Sequence, residues 1–168
     1  VPYGKDSSEN VVIYEVGPKR DYDFYPKSYV ELAKQANFFE SERGSKISES
    51  RFPILYGPAA ELENAMTIFF LQQHKKKGFR LVSPPHLVNR KSLIGTGQIP
   101  KFEDDMYQTT DGLFLIHTAE VPLTNLHSGE ILNAEQLPLR YCAFTRCFRR
   151  EVGAAGKDTQ GWKRVHDF

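Results

Sequence analysis

The sequence predicts an α+β fold on three observations. Residues 57–78 carry apolar side chains at helical spacing, Leu62, Ala65, Met66, Phe69 and Phe70. Two short stretches, 106–107 and 113–116, flank an Asp111-Gly112 turn and read as a hairpin. Two alternating runs, 141–151 and 162–168, stand on either side of a Gly-rich loop. A strand period of two puts Thr145, Cys147, Arg149 and Glu151 on one face, and Trp162, Arg164, His166 and Phe168 on another. Folded back as an antiparallel pair, the two runs present guanidiniums, a carboxylate and an aromatic ring on one surface.

Taken in order, residues 1–26 form an entry segment. VPYGKDSSEN is turn-rich, NVVIYEVG reads as a short strand, and Pro18 and Pro26 break any continuation. Residues 28–36 read as a helix with Ser28 as N-cap. Residues 41–50 are small and charged, a loop or short irregular helix, and PILYG at 53–57 is a strand. The helix of 57–78 has Pro58 at its first position, Gly78 just past its end, and Lys75, Lys76 and Lys77 in its last turn. A strand at 79–82 stops at Pro84-Pro85. Thr118-Ala119-Glu120 reads as a strand end, and residues 124–138 as a short helix, a turn and an acidic surface segment.

A chain of 168 residues is one domain's worth and long enough for a core; 40% hydrophobic and 26% charged content is ordinary for a globular protein. The net charge of +1 gives no global field for a polyanion. Charge is concentrated locally: residues 140–168 hold seven Lys/Arg against three Asp/Glu. Cys142 and Cys147 are the only cysteines. Their spacing fits no structural zinc pattern and sends them to opposite strand faces, so they read as free thiols in a reducing compartment. No membrane-spanning run and no signal-like apolar stretch is present, and a cytoplasmic location is the expectation. Val1 is not an initiator Met, so the chain is expected to start inside a longer polypeptide.

The last stretch carries the chemistry. A nucleoside triphosphate needs a ring to stack on, an acceptor for the adenine amino group and arginines for phosphate, and residues 141–168 hold all three. The connection of residues 152–161 exceeds the about 2–5 residues of an ordinary hairpin loop, and long loops on rigid strands tend to bind. Gly156-Lys157 is no Walker loop, because that pattern needs Gly where Glu151 stands and Ser/Thr where Asp158 stands. His117, His127 and His166 lack metal-ligand spacing, and no Ser–His–Asp arrangement is recognisable, so neither a metal site nor a nucleophilic enzyme is expected.

Five strings in this order resemble a known family. They are the 57–78 helix followed by KGFRLVSPP, GTGQIPKF at 95–102, TAEVPLTN at 118–125, CFRRE at 147–151 and RVHDF at 164–168. Together they resemble the class II aminoacyl-tRNA synthetases, with wording most similar to the seryl-tRNA synthetases. The resemblance implies an antiparallel sheet flanked by helices, in one partial catalytic domain over 1–168. That domain divides into an entry segment (1–50), a motif 1-like helix and strand (51–102) and substrate- and ATP-site strands with motif 2 (103–168).

It further implies serine activation by ATP, with Mg2+, and transfer of the seryl group to tRNA(Ser). Arg149 would be the catalytic residue, gripping the α-phosphate and the serine carboxylate. Arg150, Glu151, Arg164, His166 and Phe168 would complete the ATP site, Glu151 reading the adenine amino group and Phe168 stacking on the ring. Arg150 alternates away from Arg149, so its role is the least defined. Thr118, Ala119 and Glu120 would meet serine, and Lys157 would meet tRNA. The motif 1-like region with Pro84 or Pro85 would form a homodimer interface; burial of the helix within its own domain is the other reading of its stripe. His117, Gln160 and Trp162 depart from the family's pattern. Motif 3 and a tRNA-binding arm would lie outside this chain, which alone is expected to be inactive and to expose an unpaired sheet edge. A non-catalytic synthetase-like paralogue, serving dimerisation or RNA binding, is the alternative.

Overall fold

A computed structural model describes residues 3–152 and 161–168. The first helix, α1 (Tyr29–Gln35), begins where Ser28 and Glu31 form a reciprocal capping box: the Ser28 hydroxyl accepts from the Glu31 N–H, and Glu31 Oε2 accepts from the Ser28 N–H at 2.8 Å. Strand β1 (Phe39–Glu40) pairs antiparallel with β2 (Ile54–Leu55). Between them, α2 (Glu42–Ile47) packs so closely that a Cβ on Gly44 would lie 1.8 Å from the Phe52 carbonyl oxygen, so only glycine fits.

Helix α3 (Pro58–Lys76) has the expected bounds, with Pro58 at its start and Gly78 at φ 82° after its end. Its stripe is not buried within the domain: Leu62, Met66, Phe69 and Phe70 are each about half exposed, and no residue of α3 is buried. Nothing among the described residues covers the stripe. Strand β3 (Arg80–Leu81) pairs parallel with β6 (Tyr141–Cys142), a parallel ladder beside the antiparallel ones.

The core lies in the middle of the chain. Strand β4 (Leu87–Val88) pairs antiparallel with β5 (Phe114–Leu115), and the hairpin closes through Leu115 N–H to the Tyr107 carbonyl at 3.0 Å and Thr109 N–H to the Leu113 carbonyl at 2.8 Å. Gly112, at φ 87°, supplies the turn conformation that other residues rarely adopt. Helices α4 (Arg90–Gly95), capped by Asn89, and α5 (Glu120–Thr124) cover this hairpin. Val88, Leu93, Ile99, Met106, Phe114, Ile116 and Val121 form one buried cluster between them.

Sheet-like pairing then runs sideways towards the chain end. Ile116 N–H donates to the His86 carbonyl at 2.9 Å, and Phe148 N–H to the Ile116 carbonyl at 2.8 Å. Cys147 and Phe168 exchange two backbone bonds, Phe148 bridges Asp167, and Arg149 N–H donates to the His166 carbonyl at 2.9 Å. The predicted antiparallel fold-back is therefore present, over a shorter length than its alternation suggested.

Three expectations are corrected. NVVIYEVG forms no strand; Val11, Val12, Ile13, Tyr14 and Val16 are all exposed, with no neighbouring strand to pair with among the described residues. The helix expected after Thr124 starts earlier, at Glu120, so the Thr118–Glu120 string opens a helix instead of ending a strand. Residues 161–164 are turn and bend, so strand alternation does not apply to them. Trp162 accordingly leaves the shared face and packs against Tyr29 and Phe39, with ring centroids 5.3 and 4.7 Å away.

Candidate active site

One pocket of about 310 Å³ gathers Gln98, Phe102, Asp105, Met106, His117, Thr118, Glu120, Arg149, Glu151 and Arg164. These residues come from three distant stretches. Gln98 and Phe102 leave the end of α4, His117 to Glu120 lead from β5 into α5, and the last three flank the loop of the 147–168 pair. The core cluster lies under the first two stretches, and the backbone bond from Phe148 to Ile116 brings in the third. Rigid elements thus position the polar groups.

Arg149 is held twice. Its Nε–H donates to the His117 carbonyl at 3.3 Å, and its guanidinium lies 4.8 Å from the centre of the Phe168 ring. Glu151 is 8% exposed and accepts from Arg164 Nε–H in a short ion pair. Its backbone stands at φ 51°, a left-handed conformation that costs a non-glycine residue on the order of 1–3 kcal/mol. The surrounding bonds hold it there: Arg150 N–H donates to the Asp105 carbonyl at 2.8 Å, and Val152 N–H donates to Asp105 Oδ1 at 2.7 Å.

Thr118 and Glu120 line the pocket at the start of α5, where the Thr118 hydroxyl accepts from Glu120 N–H at 3.4 Å. Ala119 lies between them and is not among the lining side chains. Arg150 points to the other side, beside Glu103, Asp104 and Tyr107, as strand alternation requires. There, burial raises the Tyr107 phenol above its ordinary pKa, with Arg150 opposing the shift. His166 is 7% exposed. Its Nδ1–H donates to the Arg149 carbonyl at 2.8 Å, and its ring lies against Phe52, so it braces the strand pair from beneath. Phe168 keeps a ring 45% exposed beside Arg149.

Pro84 is buried in this chain and Pro85 exposed, near the end of β3. Lys157 lies outside the described residues. Cys147 is buried and Cys142 half-buried, both as free thiols.

Five lining residues, Gln98, Phe102, Asp105, Met106 and His117, have no role in the sequence reading, and three of them make bonds that shape the site. Asp105 anchors both ends of the turn at Glu151, and the only signal for it is its place in the acidic EDD next to Met106. Gln98 receives a bond from His117 Nε2 at 2.8 Å; its signal is the GTGQIPKF string that contains it. Burial, followed by the charge of Arg149, holds the His117 imidazole below its ordinary pKa, against weaker opposing effects of Glu120 and Asp105. Among the described residues no group of three or more His, Cys, Asp or Glu side chains is placed to hold a metal, and no helix is long and apolar enough to cross a membrane.

The pocket thus gathers Thr118, Glu120, Arg149, Glu151 and Arg164 from three of the strings that carry the resemblance, on an α+β scaffold. Residues 101–168 match the model of the tRNA synthetase class II core domain (G, H, P, S and T). The relatives that the chain resembles over its whole length are seryl-tRNA synthetases. The serine–tRNA ligase of Sulfurimonas denitrificans is 51% identical over 100% of this chain and 41% of its own length. The seryl-tRNA synthetase from Pyrococcus horikoshii, solved in complex with ATP, superposes with a TM-score of 0.83 at 40% identity, over 88% of this chain and 33% of that one. The cytoplasmic serine–tRNA ligase from Naegleria fowleri in complex with AMP gives a TM-score of 0.88 at 26% identity, over 98% and 40%. This chain spans about 41% of the length of the first of these relatives.

Proposed function

We propose that the protein carrying this chain is a serine–tRNA ligase. One observation carries the proposal: Thr118, Glu120, Arg149, Glu151 and Arg164 converge on one pocket from separate parts of the sequence. The reaction has two steps. A serine carboxylate oxygen attacks the α-phosphorus of ATP, and pyrophosphate leaves with the electrons of the broken P–O bond. A hydroxyl of the terminal adenosine of tRNA(Ser) then attacks the seryl carbonyl, and AMP leaves.

The nucleophile of each step is a substrate, so the protein's task is to orient groups and stabilise charge. The planar fork of Arg149 suits a phosphate oxygen and a carboxylate together. Glu151, aimed by Arg164, has its second oxygen for the adenine amino group. The half-exposed Phe168 ring offers the stacking surface. Thr118 and Glu120, with Ala119 between them, face the serine ammonium. His166 supports Arg149 from beneath, Arg150 and Arg164 add positive charge on either side, and Lys157 would meet the acceptor end of tRNA.

The described residues do not build a magnesium cage, since the Asp105 and Glu151 carboxylates already have partners. Mg2+ would therefore arrive on the phosphates of ATP, and no step here is assigned to it. We further propose a homodimer joined through the apolar face of α3, with Pro84 and Pro85 at its margin, and a cytosolic location in keeping with the free thiols.

The test is ATP–pyrophosphate exchange by the full-length protein over a panel of amino acids. Exchange dependent on serine alone is expected, with Arg149→Ala lowering its kcat/KM by roughly 100-fold or more, as removal of a charge-stabilising donor does. Exchange absent from a folded protein, or unchanged by Arg149→Ala, would overturn the reading in favour of a paralogue that keeps the fold without the chemistry.

A further inference from the structure

His117 departs from the family's pattern and sits at the junction of the pocket's three stretches. It is 8% exposed and carries two tethers. Its Nε2 meets Gln98 Oε1 at 2.8 Å, and its carbonyl receives Arg149 Nε–H at 3.3 Å. An amide oxygen only accepts, so the proton of this bond belongs to Nε2 and Nδ1 carries a bare lone pair. Nδ1 is buried and has no hydrogen-bond partner among the described residues. The charged groups facing the ring are Arg149, Glu120 and Asp105, while Gln98 is neutral. A proton on Nδ1 would therefore place a second buried cation beside the Arg149 guanidinium.

We propose that His117 is a positioning residue for Arg149, acting only as the neutral Nε2–H tautomer. The ring, tied to Gln98, fixes the stretch whose carbonyl holds Arg149 Nε–H, and so sets the angle at which the guanidinium faces the pocket. This rests on the reading of Arg149 given above. Two consequences separate it from a merely structural role. Protonation of one imidazole uncouples Arg149 without unfolding the site, so the acid limb of kcat/KM follows His117. A side chain that donates at the same point restores function, whereas an apolar one of similar bulk does not.

The experiment uses full-length protein labelled with 15N in histidine and arginine, with the His117 signals assigned by their loss in His117→Gln. Protonated Nε2, unprotonated Nδ1 and a titration midpoint below that of free histidine are expected. In His117→Leu the Arg149 Nε–H should exchange with solvent roughly fivefold faster, as a bond on a loosened carbonyl opens more often. Serine-dependent pyrophosphate exchange should fall roughly tenfold in kcat with little change in KM, the scale expected of a small misplacement. His117→Gln should stay within about threefold of the parent and lose the acid limb assigned to His117. A protonated Nδ1, or His117→Leu with unchanged Arg149 exchange, would overturn the proposal. Both readouts are independent of turnover, so a wild-type protein inactive with serine would count against the proposed function alone.

Discussion

The cluster around Leu93 and the stripe along α3 are drawn from the same residue types and end in opposite states. Leu93, Ile116 and Val121 are fully buried and Phe114 is 1% exposed, while Phe69 on α3 is 55% exposed. The first set gathers from two strands and two short helices, each of which hides a few side chains. The second set lies on one long helix with periodicity as clear as any in the chain. The difference teaches that amphipathic spacing reports a face that needs covering and leaves open what covers it. At the core, the cover is the chain itself. On α3 nothing among the described residues covers it, and a second copy of the protein is the occupant we propose.

The largest effect expected from breaking this comparison is in the core. Phe114→Ala should destabilise the chain by about 3–5 kcal/mol in urea unfolding, because it removes a fully enclosed ring and leaves a cavity. Phe69→Ala should cost less than about 1 kcal/mol under conditions where the chain is monomeric, as for an exposed side chain. Equal losses at the two positions would mean that α3 is covered within the domain after all. A charge sharpens the contrast: Phe69→Glu should convert a dimer of the full-length protein to monomer in sedimentation, with the fold retained by circular dichroism. A Phe69→Glu protein that stays dimeric would move the interface elsewhere.

A smaller effect concerns pH. His117 has a folded pKa lowered below 6.5, so the unfolded chain binds the proton more readily. Its contribution to stability is therefore complete above about pH 6.5 and is lost as pH falls towards the folded value, by about 1.4 kcal/mol for each unit of lowering. His117→Gln should flatten that part of the stability–pH curve. An unchanged curve in the variant would assign the acid sensitivity to other groups.

The parts of the fold legible in sequence were those governed by local rules. Ser28 and Glu31, Pro58 and Gly78, and Asp111-Gly112 each mark a boundary through chemistry contained within a few residues. The antiparallel return of 164–168 onto 147–151 was legible too, since both runs alternate. What was not legible depended on distant partners. NVVIYEVG has strand composition, but a strand also needs an edge to pair with, and the described residues offer it none. The helix at Glu120 was hidden because Thr118-Ala119-Glu120 carries no local signal for it, whereas Asn125 Nδ2–H donates to the Ser92 and Val121 carbonyls and ties it to α4. At the site, Arg149 and Glu151 were visible through charge on alternating positions, whereas Arg164 reaches the pocket from a bend to which alternation does not apply. Asp105 and Gln98 were not visible, because each acts through bonds to residues 19 or more positions away.

The ion pair between Arg164 and Glu151 also bears on how the protein can vary. It joins the two ends of the segment that separates them, next to the backbone bonds of Arg149 with His166. The groups at its base are placed by contacts among the described residues on either side of it. Doubling the length of a closed loop costs only about 0.6 kcal/mol in chain entropy. The geometry at Arg149 and the identity of the residues between 152 and 161 are thus separable properties.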